Sequence, residues 1–434
     1  MALGLYISVP FCRTKCSYCN FASDVFSQAV FDPYVDRACA DIQNATATAE
    51  RMGGRFEHEV DSVYLGGGTP TVLDCQQLAR LFVTVRQNFC LPPEAEITVE
   101  CAPGSLTPAV LETLLNCGVN RVSLGVQSFV DQEAAAVGRL HKRATVLDDI
   151  ARLRSAGISN INVDLIAGLP YQTRDSWDFS LAETISAGAP HVSIYMLEVD
   201  EDSRLGRELI AGGTRYHAHF VPDEDLTADL YLMACERVAA AGVRQYEISN
   251  FAREGYESRH NLKYWTRQPY LGFGVDAHSM LDASDDAYLL VRAAEGSLEK
   301  GVGGSPACEL PAAAFEAIRF ATLDSLEQYV AGASLKRTPV SHRAALEEAF
   351  FLGLRLTRGI DLQEIGSQYG PDAILGFAPQ ISELIESGLM EQDGDVVRLT
   401  TRGRLLSNEV FERFVSSETH QNINAETAKV RRVR

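Results

Sequence analysis

The chain has 434 residues, 46% hydrophobic and 22% charged, enough for one barrel-sized core plus a smaller appended unit. Its formal net charge of −19 opposes a phosphate backbone, which argues against extended nucleic-acid binding as its main role. No run approaches the roughly 18 consecutive apolar residues of a membrane span, and Met1 to Phe11 lacks a signal peptide's basic start and cleavage site, so a cytoplasmic protein is expected.

Short β-rich runs recur at Leu5 to Val9, Ser62 to Leu65, Ile97 to Cys101, Arg121 to Val126, Ile161 to Ile166 and His191 to Leu197. Amphipathic stretches of helical period lie between them, at Pro33 to Met52, Cys75 to Asn88, Thr107 to Cys117, Ala144 to Ala156 and Ser176 to Ala187. This alternation predicts an α/β fold with a parallel sheet, either a partial six-stranded (β/α)6 barrel or a doubly wound open sheet. Several strands run into Gly or Pro, at Gly66-Gly67-Gly68-Thr69-Pro70, Ala102-Pro103-Gly104 and Gly168-Leu169-Pro170. The special backbone residues therefore gather at strand C-terminal ends, where parallel α/β folds build their sites.

After Val199 the rhythm breaks. Gly212-Gly213, a long helix around Asp223 to Ala241, an aromatic-rich Tyr246 to Tyr270 and a loop from Gly296 to Pro306 follow. From about Ser341 a separate pattern begins, with a helix at Ala344 to Leu356, another ending near Gly388 and a hairpin at Leu389 to Leu399, which predicts a small α+β winged-helix-like unit. The expected division is thus a core barrel over 1–215, an extension over 216–335, a C-terminal unit over 340–415 and a mobile polar tail over 416–434.

Ten cysteines are too few for a disulfide scaffold, and three sit together. Cys39, Cys75, Cys117 and Cys235 fall in helical patterns and are expected as small core residues. Cys12, Cys16 and Cys19 instead share one short loop directly after the first strand. Three thiolates can hold three irons of a cubane and leave the fourth iron open to an external chelator, whereas an electron-transfer cluster takes four cysteines. Structural zinc is the alternative. It wants four closed ligands, usually from two paired knuckles, and no second knuckle exists here; Cys39 and His58 are remote in sequence.

This spacing resembles the radical S-adenosylmethionine (SAM) superfamily, and Gly66 to Pro70 resembles that superfamily's glycine motif. The resemblance implies a 4Fe-4S cluster on Cys12, Cys16 and Cys19, with SAM chelating the open iron and releasing a 5'-deoxyadenosyl radical on reduction. From Tyr6 to about Thr401 the chain further resembles the oxygen-independent coproporphyrinogen oxidase group, which includes HemN-type decarboxylases and HemW-type heme chaperones. The carrying segments are Tyr6-x5-Cys12, Gly66 to Thr71, Gly125-Val126-Gln127-Ser128, Asp164 to Pro170 and Tyr246 to Phe251. By that resemblance Tyr6, Tyr18, Gly67, Gly68, Thr69 and Glu100 contact the cluster-bound SAM. Gln127, Arg139 and Asp164 line the same pocket, where decarboxylases place a second SAM.

Two features separate the subfamilies. HemN-type enzymes carry a further cysteine two residues after the third and begin with a longer N-terminal segment, whereas here that position is Phe21 and eleven residues precede Cys12. His260-Asn261-Leu262-Lys263-Tyr264-Trp265 resembles the His-Asn-x-x-Tyr-Trp motif of the heme chaperones. A neutral imidazole at His260 suits heme iron, with Tyr264 and Trp265 as flat apolar surface; alternatively, His260 and its neighbours cap a loop over the barrel mouth. Glu100 is followed by Cys101-Ala102-Pro103-Gly104 where relatives have a small residue and Asn before the Pro, so the loop beside SAM is expected to differ. His217-x-His219 lacks a third partner and is not counted as a site.

The leading expectation is a heme chaperone that binds a 4Fe-4S cluster, SAM and heme. Its partners would be acceptors such as respiratory hemoproteins and a cellular electron donor, with transient membrane-protein contact but no membrane span. The rival is a SAM-radical decarboxylase of coproporphyrinogen III, for which Arg139 or Arg244 would meet the propionates. A radical SAM enzyme with an unrelated substrate is the third reading.

Overall fold

The computed structural model describes residues 1–294 and 315–416. The predicted loop at Gly296 to Pro306 and the tail after Ser416 lie outside the described residues. Six strands form the centre: β1 (Leu3–Val9), β2 (Val60–Gly67), β3 (Glu96–Cys101), β4 (Arg121–Gln127), β5 (Asn160–Ala167) and β6 (His191–Met196). They are mutually parallel, and their spatial order is their chain order. Between consecutive strands run α1 (Phe31–Gln43), α2 (Cys75–Asn88), α3 (Pro108–Asn116), α4 (Arg143–Ser155) and α5 (Arg174–Ser186). The helix expected over Pro33 to Met52 breaks at Asn44, and Ala45–Met52 forms a separate helix that ends on Gly53 in the left-handed region.

A parallel sheet covered on both faces normally reads as unbroken apolar strands. These strands alternate instead. Leu5, Ile7, Val63, Leu65, Val99, Val122, Leu124, Val163 and Ile194 are fully buried in the main core cluster, which also holds the apolar faces of α1 to α4. The opposite face carries Tyr6, Ser8, Tyr64, Glu100, Ser123, Asn162, Asp164, Ser193 and Tyr195, and these line one cavity. The period of two puts apolar residues outward against helices and polar residues inward. Residues from all six strands wall the same space, so the sheet curls around it as a partial barrel.

The sheet continues past both ends of this set. At the β6 edge, β7 (Asn250–Ala252) pairs antiparallel, preceded in the chain by the long helix α6 (Glu224–Ala240) and followed by α7 (Arg259–Trp265). At the β1 edge, β8 (Tyr270–Gly274) joins parallel, followed antiparallel by β9 (His278–Ala283), β10 (Ala317–Ala321) and β11 (Lys336–Val340). The hydrogen-bonded sheet therefore crosses residue 215, where sequence alone placed a boundary.

The C-terminal unit holds α8 (His342–Gly353), α9 (Leu362–Tyr369), α10 (Ala378–Glu386) and the antiparallel hairpin Met390–Asp393/Val396–Leu399. A second core cluster, including Phe350, Phe377, Val397 and Phe414, serves it. This is the expected winged-helix-like arrangement. Buried Glu348 ties it to the barrel by accepting from Arg267 at 2.9 Å and Arg319 at 2.7 Å. No helix of the described residues is long and apolar enough to cross a membrane.

Candidate cofactor site

The cysteine loop leaves β1 at the C-terminal end of the barrel and is pinned along its length. Cys12 N donates to Asp24 O, Ser17 N to Val137 O, Thr14 Oγ1 to Gly138 O, and Leu205 N to Ser17 O. On the neighbouring strand the glycine run lies against the loop's root. Gly68 N donates to Val9 O and Thr69 N to Phe11 O, each at 2.8 Å. A Cβ on Gly68 would stand 2.7 Å from Phe11 O, and Gly67 sits at φ +96° with Ser8 Oγ at 2.8 Å from its own would-be Cβ. These glycines are thus required to pack strand against loop, whatever else approaches them.

Cys12, Cys16 and Cys19 are half-buried and face the cavity. Burial raises the Cys12 thiol and, together with the Cys16 thiol beside it, pushes Cys19 up to about 11. A bound cation reverses that logic and draws off the protons. Among the described residues no three His, Cys, Asp or Glu side chains converge on one point that could hold a single metal ion. Zinc takes four closed ligands, whereas a cubane takes one thiolate per iron.

Around the thiols the cavity is charged. Arg139 Nη2 donates to Tyr18 OH at 3.3 Å, and the guanidinium lies 3.1 Å from the position a Cβ on Gly125 would take. Burial opposes its charge, but Cys16, Tyr18 and Cys19 outweigh burial and hold it protonated. Glu100 accepts from Tyr64 OH at 2.9 Å. Burial first and then the Asp164 carboxylate lift its pKa to about 7, against the pull of Tyr64 and a Gly67 backbone N–H. Asp164 is held by Ser123 Oγ at 2.9 Å and Asn162 Nδ2 at 2.7 Å, with burial raising its pKa. Gln127 follows a bulge in β4, stands at φ 68°, and leaves Oε1 buried without a partner; Arg139 Nε is likewise unpartnered. Such orphans beside the thiols are what a polar cofactor would satisfy.

The structure brings all the expected residues to this one cavity: Tyr6, Cys12, Cys16, Tyr18, Cys19, Gly67, Gly68, Thr69, Glu100, Gln127, Arg139, Asp164 and His260. One expected residue, from the rival reading, lies elsewhere. Arg244 is exposed on the short strand beside β7 and does not line the cavity. Arg121, 1% exposed, and Arg319 line the cavity together with Arg139, and the sequence reading singled out neither of them.

The motif around His260 is not a cap over the mouth. It forms α7 (Arg259–Trp265), with Ser258 Oγ capping Asn261 N, and it meets the barrel at the opposite end. Glu96, the first residue of β3, accepts from Ser258 Oγ and from the backbone N–H groups of Arg259 and His260. His260 pairs Nδ1 with Ser62 Oγ at 3.2 Å and Nε2 with Tyr264 OH at 2.8 Å. It stacks on Tyr64, which neighbours Tyr6. Burial, with Lys263 and Arg121 nearby, lowers its pKa to about 3, so the ring is neutral. Lys263 is buried, ion-paired to Asp61 at 2.8 Å and donating to Ala2 O. At the other histidine pair, His217 bonds Tyr171 OH at 2.9 Å and is half-buried, while His219 is exposed.

A parallel partial barrel with three cysteines on the loop after its first strand and a glycine run after its second defines the radical SAM class. Residues 6–182 match the Radical SAM superfamily, and residues 340–406 match the HemN C-terminal domain. The solved coproporphyrinogen III oxidase (HemN) of Escherichia coli, a radical SAM enzyme, shares the fold with a TM-score of 0.75 at 23% identity, over 95% of this chain and 90% of that one. Heme chaperone HemW of Bacillus subtilis is 32% identical over 94% of this chain and 98% of its own length, and that of Lactococcus lactis is 30% identical over 94% and 96%. The chain belongs to the HemW family of radical SAM proteins.

Proposed function

We propose that this protein is a heme chaperone: it holds a 4Fe-4S cluster on Cys12, Cys16 and Cys19, SAM beside it, and heme, and it passes the heme to acceptor hemoproteins such as respiratory oxidases or reductases. The observation that carries the reading is the convergence of the thiols, Glu100, Arg139, Asp164 and the glycine run on one cavity in a chain of this family. When bound, the cluster and SAM supply an open iron and a one-electron reduction of the sulfonium.

The chain's own residues divide the work. Arg139 places a fixed positive charge against the thiolates and offsets the negative cluster. Glu100, ionised once a cation lies beside it, accepts hydrogen bonds from the SAM ammonium or ribose. The glycines hold the loop root so close to β2 that the thiols keep their places. Phe21 occupies the position of the further cysteine of HemN-type enzymes and lines the cavity with carbon instead of sulfur. The cytoplasm is the compartment in which such a reducing cluster would be loaded and supplied with electrons.

A second reading, radical decarboxylation of coproporphyrinogen III, draws on the two guanidinium groups of Arg121 and Arg139 inside the cavity, since propionates need cationic partners. One experiment separates them. Anaerobically reconstituted protein is loaded with heme and mixed with a heme-depleted b-type respiratory hemoprotein, and a parallel sample receives coproporphyrinogen III, SAM and a reductant. Heme transfer without porphyrinogen turnover is expected. Turnover to the decarboxylated porphyrinogen with no heme transfer would overturn the chaperone reading.

A further inference from the structure

On the side of the cavity away from the thiols, two buried polar atoms have no hydrogen-bond partner: His278 Nε2 and Trp265 Nε1. Both residues line the cavity. Asp276 Oδ1 stands 3.9 Å from the imidazole nitrogen, beyond hydrogen-bond reach. Polar atoms removed from solvent cost free energy until something pairs with them.

Their surroundings restrict what that partner is. His278 and Met280 are two apart on β9 and so share its face. Met280 lies directly opposite Tyr270 on β8, and Tyr270 packs edge-on to Tyr264 with ring centroids 4.7 Å apart. Phe351 and Leu352 of α8 complete the wall and cluster with Trp265. The lobe is therefore aromatic and aliphatic around one imidazole nitrogen and one indole N–H, and it also holds the Arg319 guanidinium, which is paired with Glu348 at 2.7 Å and donates to Met280 Sδ at 3.7 Å. A flat apolar macrocycle that carries a metal and a peripheral carboxylate matches this set, since neutral imidazole binds heme iron and an indole N–H can only donate.

His260 does not match. Both of its nitrogens are engaged, by Ser62 and Tyr264, and it is 1% exposed. Iron at His260 would have to break a hydrogen bond and displace the floor of the barrel.

We propose that this lobe is the heme site and that His278, rather than His260, supplies the axial nitrogen, with the Trp265 indole N–H donating to a propionate; the proposal rests on the heme-chaperone reading above. Met280 gives the macrocycle an adaptable thioether contact.

The test is an anaerobic titration of the reconstituted full-length protein with hemin, read by Soret position and by the ferric EPR signal. Wild type, His278→Ala, His260→Ala and Trp265→Phe are compared. His278→Ala is expected to lose the imidazole-ligated signature and to bind about tenfold or more weakly, and added free imidazole restores the signature. His260→Ala keeps it. Trp265→Phe keeps the signature but weakens binding of hemin, and it does not weaken binding of iron etioporphyrin, which lacks propionates and so offers the indole N–H no acceptor there. If His278→Ala fails to fold, His278→Gln carries the same comparison. A signature unchanged in the His278 variants, or lost in His260→Ala alone, overturns the assignment and leaves the chaperone reading standing. No heme binding by wild type overturns both.

Discussion

The two ends of the barrel are both polar, yet they are built on opposite terms. At the floor, Glu96, Ser62, His260 and Tyr264 satisfy one another and Lys263 meets Asp61, Ala2 O and Gln268, so that on this helix the Trp265 indole N–H, where it lines the cavity, is the unpaired exception. At the mouth, the thiols of Cys12, Cys16 and Cys19 face open space, and Gln127 Oε1 and Arg139 Nε lack partners. Polar groups that are buried and fully paired rigidify a fold, whereas those left unpaired around a cavity mark where a ligand completes the structure. The motif residue most suggestive of a metal ligand in sequence, His260, belongs to the first class.

Four substitutions or titrations probe that contrast, and the largest effect belongs to the mouth. Cys12→Ser, Cys16→Ser or Cys19→Ser should each abolish iron incorporation while leaving the fold intact, as read by iron content and far-UV circular dichroism. Lys263→Met should do the reverse. It should destabilise the protein by about 3 kcal/mol, near the low end for breaking a buried ion pair because Asp61 still reaches solvent, with iron content per folded chain unchanged in a denaturant titration. Gly68→Ala falls between the two. Its Cβ meets the Phe11 and Val9 carbonyls, so a loss of about 2 kcal/mol should come with a displaced cysteine loop and a lower iron yield.

Glu100 gives the smallest effect and a defined sign. Its folded pKa of about 7 lies above the ordinary 4.5, so between these values the folded state holds the extra proton. Stability therefore falls as pH rises from about 4.5 to about 7 and is level beyond. The fall should be about 1 to 2 kcal/mol, since the cavity beside Glu100 admits water. Glu100→Gln should flatten that slope in denaturant titrations across the window. In the wild type, SAM affinity should rise over the same window as the carboxylate ionises, and loss of that rise in the variant checks the assignment.

Much of this could be read in the sequence because it is local. The six strands and their intervening helices follow from alternation and period, and the cysteine and glycine loops follow from spacing at strand ends. What was hidden is long-range. β8 inserts beside β1 although some 260 residues separate their partners Gly4 and Tyr270, and no local pattern near Tyr270 announces a parallel neighbour so far away. The polar interior was in view but unread: Asn162/Asp164 and Ser193/Tyr195 alternate with Val163 and Ile194, which marks strands with one apolar and one polar face. Arg121 was missed for the same reason. The position of α7 at the floor depends on Glu96 and Ser62, remote residues that the motif does not mention.

Everything proposed for the mouth depends on Cys12, Cys16 and Cys19 holding a cluster with one iron open to SAM. The EPR spectrum of the reduced, reconstituted protein, recorded with and without SAM, tests it most directly. About four irons per chain and a cluster signal that shifts on adding SAM are the predicted result; a zinc-loaded protein, or a cluster signal indifferent to SAM, would contradict it.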